Sequence, residues 1–376
     1  MAHPITHYLV IKNAMISNKN ESLWSSYSNY AAFGSFTPDV FYLKDVGYLA
    51  FTDKYDYSKI SDYIHWDGSL DLYCYFLDYI KENYELNTHI FLKLKAFSYG
   101  FYSHIITDSI FHPYISRKTK DHWKKHEPVK NYVEHKYLES LIDSFLLTKN
   151  EKQNAKDFKY HEKVLCYQDM NYKTLDNEIF LILLNGLNNV YSKIIDNNAE
   201  DDEKNFYEYF LKYELDDTEH PIHEAYDDFV DTISILYKNE YIGLLPSESI
   251  KAFIPKIILA KHHNEKMNLN KSAWFKKKNN FMSLNYSVLE LFEMAVLTTK
   301  KLINISESFF NQNELSSKEY LKLNSSDMVI FEENFNSDTG LSSKYNYEES
   351  INSEDNQIRY NAFIDDLVYH YLCYIR

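Results

Sequence analysis

Residues 89–114, "HIFLKLKAFSYGFYSHIITDSIFHPY", are apolar over most of their length, yet His104, Asp108 and His112 recur inside them at four-residue intervals. The spacing reads as one long, largely apolar helix with a buried stripe. Helical residues four apart share one face, which sets an imidazole and a carboxylate on the same buried stripe. Ionisable groups in a core are costly unless something pairs with them, and a metal ion is one such partner. His112 falls one turn further on, where Pro113 predicts the end of the helix.

Helical periodicity dominates elsewhere. "ITHYLVIKNAM" starts at Pro4, "GSLDLYCYFLDYIKENY" follows Ser69 as its cap, and "VKNYVEHKYLESLIDSFLL", "TLDNEIFLILLNGLNNVYSKII", "HEAYDDFVDTISILYK" and "NYSVLELFEMAVLTTKKLINISESFF" repeat the pattern. No run of alternating strands and no internal repeat stands out. "DNNAEDDEKN" near 196–205 and "KHHNEKMNLNKSAWFKKKNN" near 261–280 read as polar connectors. Beyond residue 311 the chain turns rich in Ser, Asn and Glu, and "NAFIDDLVYHYLCYIR" at its end is an amphipathic piece able to dock back as a helix. The expected architecture is an all-α domain over residues 1–310 with a less ordered extension over 311–376.

A second pair, His135 and Glu139 in "EHKYLES", repeats the four-residue spacing. Such a pair on a helix surface is commonly an ordinary i,i+4 contact. Two pairs close together, the first embedded in apolar residues, point to metal, and zinc accepts both imidazole nitrogen and carboxylate oxygen. Upstream, His7 in "PITHYL", Asp39 in "FGSFTPDVFY" and His65 in "YIHWDG" are further candidates, each unremarkable alone. The cysteines, Cys74, Cys166 and Cys373, form no CxxC pair, so neither a disulfide framework nor a thiolate zinc knuckle is expected. A net charge of −15 disfavours a phosphate-backbone ligand. No apolar run is long enough for a membrane span, and the start lacks the pattern of a Sec-type signal peptide. The expectation is a chain that stays in the cytoplasm or leaves by a secretion system independent of such a signal.

Taken in order, His7, Asp39, His65, His104, Asp108, His112, His135 and Glu139 resemble the ligand series of the zinc-dependent phospholipase C family, which includes the catalytic domain of the clostridial alpha-toxins. The likeness is greatest to a looser bacterial branch, through "ITHYLV", "GSFTPDVF", "YGFYSHIITDSIFHPYI" and "VEHKYLESLID" over residues 5–145. The resemblance implies an all-α fold around two to three zinc ions. Asp39, His65 and His104 would hold one, with Asp108 bridging to a neighbour, and His112, His135 and Glu139 would hold a second. His7, Asp108 and the chain's amino terminus would hold a third. Toxin-like relatives begin with a Trp whose amine binds zinc. This chain begins Met-Ala-His, so an exposed Ala2 or His3, four residues before His7, would substitute.

The activity so implied is hydrolysis of a phospholipid such as phosphatidylcholine to diacylglycerol and a phosphorylated head group, by attack of a zinc-bound hydroxide that Asp39 orients or deprotonates. The lipid would be met in transient contact with a membrane surface. A zinc-dependent single-strand nuclease shares the fold and a similar ligand order, but usually ends the series in Asp rather than Glu, and nucleic acid suits the acidic charge poorly. A degenerate metal-binding module is the third reading. His89, His122, His126, His161, His220, His223, His262, His263 and His370 are assigned to structure or solvent.

Overall fold

The long apolar segment forms the central helix, and the other elements are arranged by which of its faces they cover. The computed structural model describes residues 4–17, 20–43, 57–65, 68–119, 128–153, 157–166, 174–195, 220–237, 265–272, 275–276, 283–324, 335–336 and 341–342. Its elements in order are α1 (Pro4–Ile16), α2 (Glu21–Gly34), a 3-10 turn (Thr37–Tyr42), α3 (Ser58–His65), α4 (Ser69–Asn83), α5 (His89–Thr119), α6 (Pro128–Glu151), α7 (Tyr160–Lys163), α8 (Asn177–Ile195), α9 (Pro221–Tyr237), α10 (Val288–Phe310) and α11 (Ser317–Asn324). Two antiparallel pairs of two-residue strands, β1 (Phe275–Lys276) with β2 (Ser283–Leu284) and β3 (Phe335–Asn336) with β4 (Leu341–Ser342), are the only extended pairing among the described residues. The protein is all-α.

α5 spans 31 residues, about 46 Å at the usual rise. It is contacted by α1, α2, α4, α6, α8, α10 and the 3-10 turn. From Phe91 to Ser116 nearly every side chain is buried. Aromatic residues fill the joints: Tyr73 of α4 stacks on Tyr102 with centroids 4.6 Å apart, and Phe76 meets Phe97 and Phe101 edge-on or tilted. On α10 the Ser306 hydroxyl pairs with the Tyr73 hydroxyl at 2.7 Å. That helix begins with a capping box, Ser287 and Glu290 satisfying each other's backbone N–H groups.

Two boundaries differ from the sequence reading. Pro113 does not end α5, which continues to Thr119. Proline removes one backbone bond and disfavours the turn before it. Here Ile110, Phe111, Tyr114 and Ile115 on both sides of it are buried, and their packing outweighs the local cost. Ser69 is not the cap of α4 but its first turn. The N-cap is Gly68, whose N–H is already held by the Tyr63 carbonyl at 2.9 Å.

Within the 311–376 segment, α11 docks on α4. The Ser317 N–H and hydroxyl donate to the two oxygens of Asp78 at 3.0 and 2.7 Å, and Leu321 is buried beneath. The amphipathic piece at 361–376 lies outside the described residues, as do Cys373 and the 196–205 connector; Cys74 and Cys166 are free buried thiols. Among the described residues no helix is long and apolar enough to cross a membrane.

α2 crosses α5 at its closest where Gly34 faces Gly100. A Cβ on Gly100 would lie 2.1 Å from the Ala31 carbonyl oxygen, and one on Gly34 would lie 2.2 Å from that of Phe97. Gly100→Ala gains about 0.8–1 kcal/mol of helix propensity, but forcing two backbones apart costs about 1–3 kcal/mol or more. A net loss of stability is therefore expected in denaturant unfolding. A midpoint equal to or above that of the unsubstituted protein would show that the contact is not tight.

Candidate metal centre

Five elements bring the polar side chains to one place. The first turns of α1 supply His7, the 3-10 turn Asp39, the last residue of α3 His65, the middle of α5 His104, Asp108 and His112, and α6 His135 and Glu139. Asp39 is buried because Thr37-Pro38 turns the chain inward, the Thr37 hydroxyl donating to the Phe33 carbonyl at 2.9 Å and the Asp39 N–H to that of Phe36 at 3.0 Å. All eight residues are buried, none more than 7% exposed. They gather as three groups of potential ligands: Asp39, His65 and His104; His7, His104 and Asp108; and His112, His135 and Glu139. His104 is common to two of them. His3 and the amino terminus lie outside the described residues, as do Trp66 and Asp67.

Asp108 joins the groups. Its Oδ1 is 3.2 Å from His7 Nε2 and 3.5 Å from His112 Nε2, and its Oδ2 is 3.1 Å from His104 Nε2 and 3.5 Å from His65 Nε2. In the outer groups, Asp39 Oδ1 is 3.4 Å from His65 Nε2 and 3.9 Å from His104 Nε2, and Glu139 Oε1 is 2.9 Å from His135 Nε2 and 3.7 Å from His112 Nε2. The rings of His7 and His104 stack with centroids 4.0 Å apart.

Hydrogen-bond direction then decides what the cluster can hold. His65 Nδ1 lies 2.7 Å from the Ser61 carbonyl and His104 Nδ1 lies 2.8 Å from the Ser35 carbonyl. A carbonyl only accepts, so each Nδ1 carries the hydrogen and each neutral ring turns a bare Nε2 lone pair inward. Those two lone pairs are 3.0 Å apart. Only a positive species between them, a proton or a metal ion, reconciles that approach. One proton joins two donors, whereas a metal ion draws in four. The edge of a tetrahedron around an ion with ligands at about 2.0–2.1 Å is about 3.3–3.4 Å, and the separations above bracket it. Nitrogen and carboxylate donors at that spacing, with the second ring nitrogens of His65 and His104 tied to carbonyls, fit zinc.

The protonation states agree with ligation. Burial, and after it the nearby His104, hold His7 below its ordinary value and keep it neutral. Burial pushes Asp108 upward, but His112, His104 and His7 hold its carboxyl well below the usual range. Glu139 is likewise raised by burial and lowered further by Lys136 and His135. Burial pushes Asp39 upward, but its carboxyl is held below the usual range, the imidazoles of His104 and His65 beside it contributing. All four are therefore in the deprotonated forms a metal requires.

Sequence reasoning missed the carbonyls of Ser35 and Ser61, which leave no trace in residue type. It also missed Lys136, buried with Nζ 2.6 Å from Glu139 Oε2, for which the only signal is its place three residues before that glutamate. The histidines assigned to structure behave so where described. His220 Nδ1 accepts the Ile222 N–H, His223 Nδ1 accepts the Leu175 N–H, and the two rings pack on Phe180. His122, His126, His262, His263 and His370 lie outside the described residues.

Residues 6–198, which contain all eight of these side chains, match the family model for zinc-dependent phospholipase C. No curated protein and no solved structure matches the chain.

The sign of the pH dependence follows from the depressed groups. His7, ordinarily at 6.5, Glu139, at 4.5, and Asp108, at 3.8, all bind fewer protons folded than unfolded, so stability rises with pH wherever the unfolded chain is the more protonated. The contribution of His7 is lost first as pH falls below 6.5, and those of the carboxylates follow below 4.5 and 3.8. Thermal unfolding of the metal-free protein should show a midpoint that declines steadily over that range. A flat or rising midpoint would contradict the assigned charge states.

Proposed function

The chain belongs to the zinc-dependent phospholipase C family, and on that premise we propose that it is a zinc-dependent phosphodiester hydrolase that cuts phospholipids to diacylglycerol and a phosphorylated head group. The observation that carries the reading is the buried meeting of His65 and His104 lone pairs beside Asp39 and Asp108. In this reading Asp39, His65 and His104 would hold one zinc ion, His112, His135 and Glu139 a second, and His7 with Asp108 a third. Residues 1–310 form the catalytic domain, on which the 311–376 extension docks through α11.

Zinc held there supplies Lewis acidity, bringing the pKa of water toward 7 and polarising phosphoryl oxygens. The chain's own groups do the rest. Asp39, ionised and buried, is placed to orient the attacking water and take its proton at a carboxylate oxygen. The water oxygen bonds to phosphorus as the bond from phosphorus to the glycerol oxygen breaks, and the proton passes to that leaving oxygen, giving diacylglycerol. The Ser61 and Ser35 carbonyls keep His65 and His104 in the tautomer that faces inward. Lys136 neutralises Glu139 and occupies its second oxygen, so that Oε1 is the atom turned to His135 and His112.

Elemental analysis of purified protein, with phosphatidylcholine vesicles and single-stranded DNA as substrates, tests this. Two to three zinc ions per chain and release of phosphorylated choline are expected. Asp108→Ala should lose at least one ion, and Asp39→Asn should lower kcat by about 10²–10⁴-fold. DNA cleavage with intact lipid would reassign the protein as a nuclease. Bound zinc with neither substrate cut would leave a binding module.

A further inference from the structure

Asp143 follows Glu139 on α6 at the same interval at which Glu139 follows His135, so the three share one stripe of the helix. It is wholly buried but belongs to none of the three donor groups. Its carboxylate turns to the first turn of α1. Oδ1 accepts the Thr6 N–H at 2.7 Å and the Thr6 hydroxyl at 2.5 Å, and Oδ2 accepts the Ile5 N–H at 3.0 Å. These are N–H groups that a helix start leaves without intrahelical partners, ordinarily taken up by a side chain just before the helix. Here the acceptor comes from a helix 138 residues away in the chain, and its negative charge suits the positive end of α1.

His7 is the next residue. Whatever fixes Thr6 therefore fixes the point at which His7 Nε2 comes within 3.2 Å of Asp108 Oδ1 and the His7 ring stacks on His104. A further bond from α1 to α6 among the described residues, Lys12 to Glu151 at 2.7 Å, is partly exposed and lies two turns further along α1. A part-buried pair two turns away constrains the first turn less directly than bonds made to Thr6 and Ile5 themselves. We infer that Asp143 is a positioning residue for the donor group containing His7: from α6 it sets the depth and rotation of α1 at which His7 and Asp108 take one metal ion. The inference rests on reading that group as a metal site. A cap with a purely structural role would lower stability without distinguishing that group from the other two.

The test uses full-length protein stripped of metal and reloaded with zinc or cobalt(II), counting ions per chain and measuring each step of binding by competition with a chelator and by the cobalt visible spectrum. Asp143→Asn and Thr6→Val should weaken one ion by about 10–100-fold, the same ion that His7→Ala removes, and leave the others at their original affinity. Thr6→Ser, which keeps the hydroxyl, should restore binding, and Asp143→Asn added to His7→Ala should cost no further ion. If Asp143→Asn and Thr6→Val retain every ion at full affinity, or weaken all of them alike, the positioning role is wrong. Should Asp143→Asn fail to fold, the Thr6→Val and Thr6→Ser pair decides alone. If His7→Ala keeps the full complement, the reading of its group as a metal site falls and the inference with it. If His7→Ala loses an ion while the other variants lose none, only the role of Asp143 is overturned.

Discussion

The buried convergence of imidazole nitrogens and carboxylates is the constraint to which the rest of the molecule answers. His65 and His104 each spend their one ring hydrogen on a backbone carbonyl, which commits their second nitrogens to face one another and two carboxylates. Taking such groups out of water is costly unless the opposite charge is supplied on the spot. The apolar shell around α5 makes that cost larger, and also makes any cation placed there correspondingly well held. Packing and chemistry are thus the same problem at this centre: the helix most suited to a core carries the residues least suited to one.

Much of this was legible in residue order. The four-residue recurrence of His104, Asp108 and His112, and of His135 and Glu139, reads as two polar stripes because helical geometry is local and its period is known. The helices themselves follow from apolar spacing, and all of those proposed within the described residues are present. Pro113 was misread because its local cost is visible in sequence while the burial of Ile110, Phe111, Tyr114 and Ile115 around it is not. Asp39 and His65 carry no local signal of their own. What selects them is where the 3-10 turn and α3 come to lie against α5, a long-range result. The same holds for Ser35 and Ser61, which act through backbone oxygens that every residue possesses.

The contact between Gly34 and Gly100 has a second role beside its packing. The residue after Gly34 is Ser35, whose carbonyl holds His104 Nδ1, and that carbonyl reaches the imidazole because α2 and α5 touch backbone to backbone one turn away. Small residues here set a distance between a main-chain acceptor and a side chain, so the tightness of a helix crossing becomes the aim of a ring nitrogen. Lys136 works in a comparable way on Glu139, occupying one oxygen and leaving the other turned inward.

α6 is the last element to contribute to the centre, and it touches the first. Until that helix has been synthesised, a growing chain holds His7 on a segment with no cap and lacks both His135 and Glu139. Six of the eight side chains would already be available from α1 through α5, yet neither the outermost group nor the docking of α1 would be complete. Closing so long a loop is an entropic cost met once, and it is met by a helix that carries donors and clamp together. Biogenesis of this protein should therefore pass through a stage in which the centre lacks its last two donors, before residues 128–151 fall into place and α8 and α10 close over α5.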